Sequence, residues 1–281
     1  MNTVAIYGLG LIGGSFGLAL RKAGFKGEIL GLCAPRYAER ALELGAITKI
    51  ARDFEEIARS AELIYLSHTV DGIIGALEIL GPIASAKSLV TDSGSTKTRI
   101  VRHATQWVES AEFIGGHPIA GKEKRGIDAA DPDLFRSRAY VLTSNSASRN
   151  AESFVFWLNK MGARVVYLTP EEHDKLLAYT SHLPQLVSTA LAVTLAKQDE
   201  NEVAEVFGPG LIDMTRLALS APELWISIFE TNKDSLKIAR AAFAQTLEEL
   251  GAALEERGDL EALLAEGARF AGRLRALNQP K

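Results

Sequence analysis

Up to about residue 168, short apolar runs alternate with segments of helical period, the pattern of a mostly parallel sheet wrapped by helices. The expected strands are Val4–Tyr7, Ile29–Leu32, Leu63–Leu66, Ser88–Thr91, Phe113–Gly115, Tyr140–Leu142 and Val165–Tyr167. Several are continuous and β-branched rather than alternating, as when helices cover both faces of a sheet. From Thr169 the pattern changes to helices alone. Thr169-Pro170-Glu171-Glu172 reads as a helix start with an N-cap, a proline at the first position and a capping-box glutamate. Ser220-Ala221-Pro222-Glu223 repeats that logic. Beyond it Leu236, Ala239, Phe243, Leu247, Leu250 and Leu254 recur at spacings of three and four, and Gly258-Asp259 is expected to break the helix. Leu260, Leu263, Leu264, Ala271 and Leu274 then line a further helix. The expected organisation is a doubly wound α/β domain over residues 1–168 and an all-helical domain over 169–281. The long stripes suit a homodimer interface through the helices; an intramolecular helical core explains them equally well.

The first strand runs into Gly8-Leu9-Gly10-Leu11-Ile12-Gly13-Gly14-Ser15 and then an apolar helix. Strand, G-x-G-x-x-G turn and helix in this order mark a Rossmann-like dinucleotide pocket: the glycines allow a tight turn and close approach of a pyrophosphate to N–H groups at the helix start. Gly8, Gly10, Leu11, Ile12 and Gly13 are therefore cofactor-site candidates, with Ser67 at the end of the Leu63–Leu66 strand. The bland alternative is a glycine turn that only packs a helix on a strand. An acidic residue that holds the ribose is expected about twenty residues past the glycines, and Cys33 stands there instead. Cys33 does not repel a 2′-phosphate, and Arg36 is placed to pair with one. NADP is expected to be at least tolerated; the alternative is a solvated Arg36 and NAD held by other contacts.

The 281 residues, 47% hydrophobic and 23% charged, suit two ordinary globular domains. A net charge of −4 without a long basic run argues against a nucleic-acid surface. One cysteine precludes an intrachain disulfide and fits a reducing compartment. The chain opens directly on a strand, leaving no room for a leader, and no apolar stretch approaches the roughly 18 residues of a membrane span. These features point to the cytoplasm, with no membrane partner and no assigned metal.

Ligands of doubly wound sheets bind beyond the carboxyl ends of strands. Asp92-Ser93-Gly94-Ser95-Thr96-Lys97 lies at one such end, where Ser95 either contacts substrate or merely caps the next helix. Gly115-Gly116-His117-Pro118-Ile119-Ala120-Gly121 lies at another and holds His117 on a constrained loop. An imidazole is suited to take the proton of a hydroxyl that loses its hydride. In the helical half, Ser181-His182-Leu183-Pro184 should kink, since Pro184 denies the Thr180 carbonyl its usual donor. Gly208–Arg216 offers a glycine-rich entry to Arg216, whose guanidinium can hold a carboxylate at two points. Trp225 is by default a core or interface aromatic.

Taken together, the chain resembles the prephenate/arogenate dehydrogenases along almost its whole length. The resemblance rests on Gly8–Ser15, Asp92–Lys97, Gly115–Gly121 with Glu123-Lys124, Ser181–Pro184, Asp213–Arg216, Trp225 and Asn232-Lys233. It implies a nucleotide-binding domain followed by a helical dimerisation domain, and NAD(P)-dependent oxidative decarboxylation in tyrosine biosynthesis. It further implies that His117 takes the proton of the ring C4 hydroxyl and that Ser95 positions this hydroxyl. Arg216 would anchor a substrate carboxylate, Ser181 and His182 would form the opposite wall, and Trp225 would complete the pocket. Two positions depart from the family: Lys122 and Gln185 stand where relatives often carry Thr and His, both near the substrate mouth. Lys122 leans the expectation towards the all-anionic prephenate; a lysine that points into solvent is the equal alternative. The sequence is also expected to carry no fused chorismate mutase or regulatory domain. The alternatives are another two-domain hydroxy-acid dehydrogenase, with Lys175 or Lys233 as its catalytic lysine, and a non-catalytic dinucleotide-sensing dimer.

Overall fold

The structure, a computed structural model, describes residues 1–255 and 257–277. Its strands are β1 Thr3–Tyr7, β2 Glu28–Leu32, β3 Lys49–Ile50, β4 Leu63–Leu66, β5 Leu89–Asp92, β6 Glu112–Ile114, β7 Gly116–Pro118, β8 Ala139–Leu142 and β9 Arg164–Tyr167. The helices of the first part are α1 Leu11–Lys22, α2 Pro35–Glu43, α3 Phe54–Ser60, α4 Val70–Leu80, α5 Thr98–Trp107 and α6 Arg149–Lys160. Then follow α7 Pro170–Leu177, α8 Leu183–Leu195, α9 Glu200–Val206, α10 Pro209–Thr215, α11 Pro222–Thr231, α12 Lys233–Ala253 and α13 Arg257–Leu277.

Six parallel strands form one sheet in the order β3-β2-β1-β4-β5-β6. Its faces alternate residue by residue. Val4, Ile6, Leu63 and Tyr65 enter one apolar cluster with Phe16, Phe135 and Phe154, while Ala5, Ile64 and Leu66 enter another with Ile73, Leu77 and Ile100. Each fully buried side chain of this size contributes about 1.5–3 kcal/mol. Strand order reverses between β1 and β4, where such sheets open a ligand crevice.

The expected single sheet is in fact two. After Ile114 the chain leaves the parallel sheet, and β7 pairs antiparallel with β8, which pairs parallel with β9. Gly116-His117-Pro118 carries no β-branched or aromatic signal and contains a proline, so pattern gave no reason to expect a strand there. His117 is thus a strand residue, not a loop residue. The two-residue β3 was also not expected, and Ser88 and Gly115 fall just outside the strands assigned to them.

Thr169 caps α7 with Glu172 reaching back, as the sequence implied. At α11 the N-cap is Ala221 and Ser220 makes no cap; Pro222 sets the start by itself. The break between α12 and α13 precedes Gly258-Asp259, which lie in the first turn of α13, where an acidic Asp259 suits the helix dipole.

By its contacts the chain forms one unit over Met1–Lys233 and a second over Asp234–Lys281. The helices from α7 to α11 therefore pack with the nucleotide-binding part. Within the second unit, Leu247, Leu254, Leu264, Phe270 and Leu274 are exposed. Of the expected stripe, Leu236 and Ala239 are buried, Leu250, Leu260, Leu263 and Ala271 partly buried, and the rest exposed in the single chain.

Candidate active site

The G-x-G-x-x-G turn sits at the point of strand reversal. Gly8 has φ +90°, and a Cβ there would lie 1.9 Å from the Ser67 carbonyl oxygen at the end of β4. A Cβ on Gly13 would lie 2.0 Å from the Gly8 oxygen, whereas one on Gly10 meets nothing within 4 Å. Two glycines are therefore needed for packing, and the third keeps space open. Gly10 is the N-cap of α1 and brings no side-chain acceptor to the helix start, which leaves its first N–H groups for an anion. Leu11 and Ile12 are partly buried in that first turn. These features fit a dinucleotide pyrophosphate. Ser67 takes a hydrogen bond from Ser93 at 3.2 Å, joining the ends of β4 and β5.

At the end of β2, Cys33 is partly buried, and burial pushes its thiol pKa up, so the side chain stays neutral. Arg36 is exposed at the start of α2; its guanidinium lies 4.5 Å from the Tyr37 ring centroid and donates to the Tyr37 hydroxyl.

The chemistry-bearing residues gather around β5 and β7. Asp92 and Lys97 form a fully buried ion pair. Asp92 also accepts from the N–H groups of Gly94 and Gly116, while Lys97 Nζ donates to the Gly116 carbonyl at 2.7 Å. Both backbone groups of Gly116 are thereby fixed, and with them the residue that follows, His117. Burial lowers the Lys97 pKa, and Asp92 opposes that shift.

His117 Nδ1 lies 2.8 Å from His173 Nε2 on α7, and His173 Nδ1 lies 2.8 Å from Asp174 Oδ1. Asp174 accepts in turn from the backbone N–H groups of Lys97 (2.7 Å) and Thr98 (2.9 Å) at the start of α5. The cap of α5 is therefore Asp174 and not Ser95, whose capping alternative the structure removes; Ser95 is partly buried on the turn between β5 and α5. Burial pushes the His117 pKa well below 6.5, reinforced by neighbouring His173, Lys97 and His182. Burial lowers that of His173 as well, against the pull of Asp174. Burial alone would raise the Asp174 carboxyl, but the hydrogen bonds it accepts prevail and hold it below its ordinary value.

The expected irregularity at Pro184 appears one step earlier, as a wide π-helical turn over Ala178–His182 in which the Leu183 N–H reaches the Ala178 carbonyl. Such turns keep backbone groups satisfied while admitting an extra residue. His182, buried here, accepts at Nδ1 from Asn232 Nδ2 at 3.1 Å, and the same amide donates to the Asp174 carbonyl oxygen. Ser181 is half-buried beside it. Burial lowers the His182 pKa to about 4. Its Nε2 and the Trp225 Nε1 are buried without a partner among the described residues, with the two rings edge to face at 6.2 Å. Both are polar atoms available to a bound molecule.

Gln185 is buried. Its Nε2 donates to the Leu217 carbonyl, and Ser188 accepts from the Ala218 N–H, so α8 holds the turn that carries Arg216. Arg216 itself is exposed and pairs with Glu123 at 3.1 Å. Lys122 is turned to Asp131 at 2.7 Å. Its charge is matched there by a partly exposed carboxylate. Lys175 and Lys233, the lysines of the hydroxy-acid alternative, are exposed.

The geometry missed by sequence reasoning is that of His173, Asp174 and Lys97. A His-Asp pair within a helix that reads chiefly as a capping box gives no signal of its partners on β7 and α5. Glu123 and Asn232 lay in motifs already noted, without a role.

The model of the prephenate dehydrogenase nucleotide-binding domain matches residues 16–167, and that of the prephenate dehydrogenase dimerization domain matches residues 169–266. The chain belongs to the prephenate dehydrogenase family. The prephenate dehydrogenase of Bacillus subtilis is 35% identical over 84% of this chain and 65% of its own length. That of Lactococcus lactis is 32% identical over 96% and 77%. Among solved structures, a prephenate dehydrogenase from A. aeolicus in complex with hydroxyphenyl propionate and NAD+ superposes with a TM-score of 0.88, at 30% identity over 98% of both chains. Synechocystis arogenate dehydrogenase gives 0.82, at 29% identity over 97% and 99%. The matched domains are those of a dehydrogenase, one of them nucleotide-binding, and the glycine turn lies directly before the first of them.

Proposed function

We propose that this protein oxidatively decarboxylates prephenate to 4-hydroxyphenylpyruvate, or arogenate to tyrosine, with NAD or NADP. The observation that carries this reading is His117, which follows a Gly116 held by Asp92 at the end of β5 and by Lys97, and which is joined to His173.

Gly8, Gly10, Leu11, Ile12, Gly13, Ser67, Cys33 and Arg36 would hold the dinucleotide, whose oxidised nicotinamide supplies the acceptor for the hydride leaving C4 of the substrate ring. His117 takes the C4 hydroxyl proton as the carbonyl forms. The ring carboxylate then leaves as CO2, its bonding electrons aromatise the ring, and His117 returns its proton to the oxygen. Ser95 orients the hydroxyl, while Ser181, His182, Gln185 and Trp225 shape the opposite wall. Arg216 holds a carboxylate of the substrate, and Lys122 lies at the rim. Positioning of this kind can supply about 7–11 kcal/mol.

On cofactor choice, the neutral Cys33 and exposed Arg36 support tolerance of NADP. A homodimer through the helices is supported by the dimerization-domain match, by the exposed apolar stripes of α12 and α13, and by an uncovered apolar groove of about 610 Å³ lined by Leu195, Val203, Phe207 and Leu211. We place the functional boundary at residues 168/169, between the two matched family domains. The free Cys33 and reliance on a soluble nicotinamide pool support a cytoplasmic setting.

The test is direct: mix purified protein with prephenate or arogenate and NAD or NADP, and follow reduced nicotinamide together with CO2. No turnover in any of the four pairings would leave a dinucleotide-sensing dimer as the better reading.

A further inference from the structure

The line His117–His173–Asp174 fixes more than distance. Asp174 accepts two backbone N–H bonds in addition to that from His173, which is the environment of an ionised carboxylate. A carboxylate only accepts, so His173 Nδ1 carries the hydrogen towards it. A neutral His173 then presents a bare lone pair at Nε2. The His117 Nδ1, 2.8 Å away, must be the donor of that bond. The remaining nitrogen of His117, Nε2, is left unprotonated.

We propose that His173 is a positioning residue that selects the tautomer of His117, so that its Nε2 holds the free lone pair that takes the substrate proton. The proposal rests on His117 being the base of the reading above. Free imidazole offers both tautomers, and a buried acceptor behind one nitrogen settles which is present. When His117 becomes cationic, its Nδ1–H bond to His173 becomes charge-assisted, and the fixed Asp174 carboxylate lies behind it. The charged and titratable groups facing this line are Lys97 and Asp92 from the β5–α5 segment and His182 after α7. The arrangement is anchored at both ends: Asp174 by the start of α5 and by Asn232, which binds its backbone carbonyl, and His117 by the doubly held Gly116.

The chain has five histidines, so ¹⁵N-histidine spectra of the whole protein can be assigned by single substitutions. In the wild type, His117 should be the Nδ1–H tautomer. In His173→Leu the bond acceptor is gone, and His117 should shift towards Nε2–H. His173→Leu should lower kcat roughly 10–100-fold with both KM values within threefold, and should move the acid limb of kcat to lower pH, since the His117 cation loses its support. His173→Gln, whose amide oxygen can still accept from Nδ1–H, should recover at least a third of wild-type kcat. An Nε2–H tautomer at His117 in the wild type would overturn the proposal even if His173→Leu fails to fold. So would equal loss in the Leu and Gln variants with folded spectra. Full turnover in His117→Asn would instead remove the base assignment, and the nitrogen spectrum decides the tautomer separately from that result.

Discussion

Arg216 Nη1 lies 3.1 Å from Glu123 Oε1, so a guanidinium from the helical half meets a carboxylate on the segment that follows His117. The two side chains are 52% and 73% exposed. A pair this exposed adds about 0–1 kcal/mol to stability. Arg216→Ala should therefore shift Tm by no more than about 2 °C, while KM for the carboxylate substrate rises about tenfold or more, the scale of a lost charged contact. An unchanged KM would take Arg216 out of the substrate site.

His117→Asn should lower kcat by roughly 10²–10⁴-fold, the usual share of a general base. Cofactor affinity, read by fluorescence quenching, should remain, because the dinucleotide turn is formed by other segments. Loss of both together would point to a collapsed fold and not to a missing base.

The two glycines of the turn should separate folding from binding. Gly13→Ala places a methyl 2.0 Å from a backbone oxygen and should destabilise the protein severely. Gly10→Ala meets open space and has an ordinary φ of −88°. It should fold normally yet weaken NAD(P) markedly, as seen by thermal melts and cofactor titration side by side.

Stability should fall in acid between pH about 6.5 and 4. The pKa of His182 is about 4 in the folded chain against 6.5 unfolded. Above 6.5 neither state takes the proton and stability is full. As pH falls below 6.5 the unfolded chain binds a proton that the folded chain refuses, until both bind it below about 4. The shift corresponds to about 3 kcal/mol. His117 and His173 shift in the same direction. Denaturant unfolding at a series of pH values should show this slope, and His182→Gln should make it shallower; an equal slope in the variant would discard His182 as a source.

Arg36→Ala should raise KM for NADP at least fivefold and leave that for NAD within twofold. Equal effects on both cofactors would show that the guanidinium does not distinguish them.

The parallel sheet, the nucleotide turn and the capped start of α7 were legible because each rests on local pattern: apolar runs, glycine spacing and a Thr-Pro-Glu-Glu start. The antiparallel β7 was not, since Gly116-His117-Pro118 is a strand only through its partners on β8. Nor was the His173–Asp174 line, whose meaning comes from contacts with distant β7 and α5. Gln185 and Lys122 were noted only through the family resemblance, and their ties to the Leu217 carbonyl and to Asp131 come from segments that local pattern does not bring together.

The π-helical turn at Ala178–His182 amounts to one residue more than an ordinary helix would use. Deleting one residue there would restore uniform pitch and rotate everything downstream by about 100°. His182 would swing off Asn232, and Gln185 and Ser188 would lose their grip on the Arg216 turn. The phase of α8 is thus set by a single surplus residue, and a gap of one at this point in a relative's sequence would announce a differently aimed pocket wall.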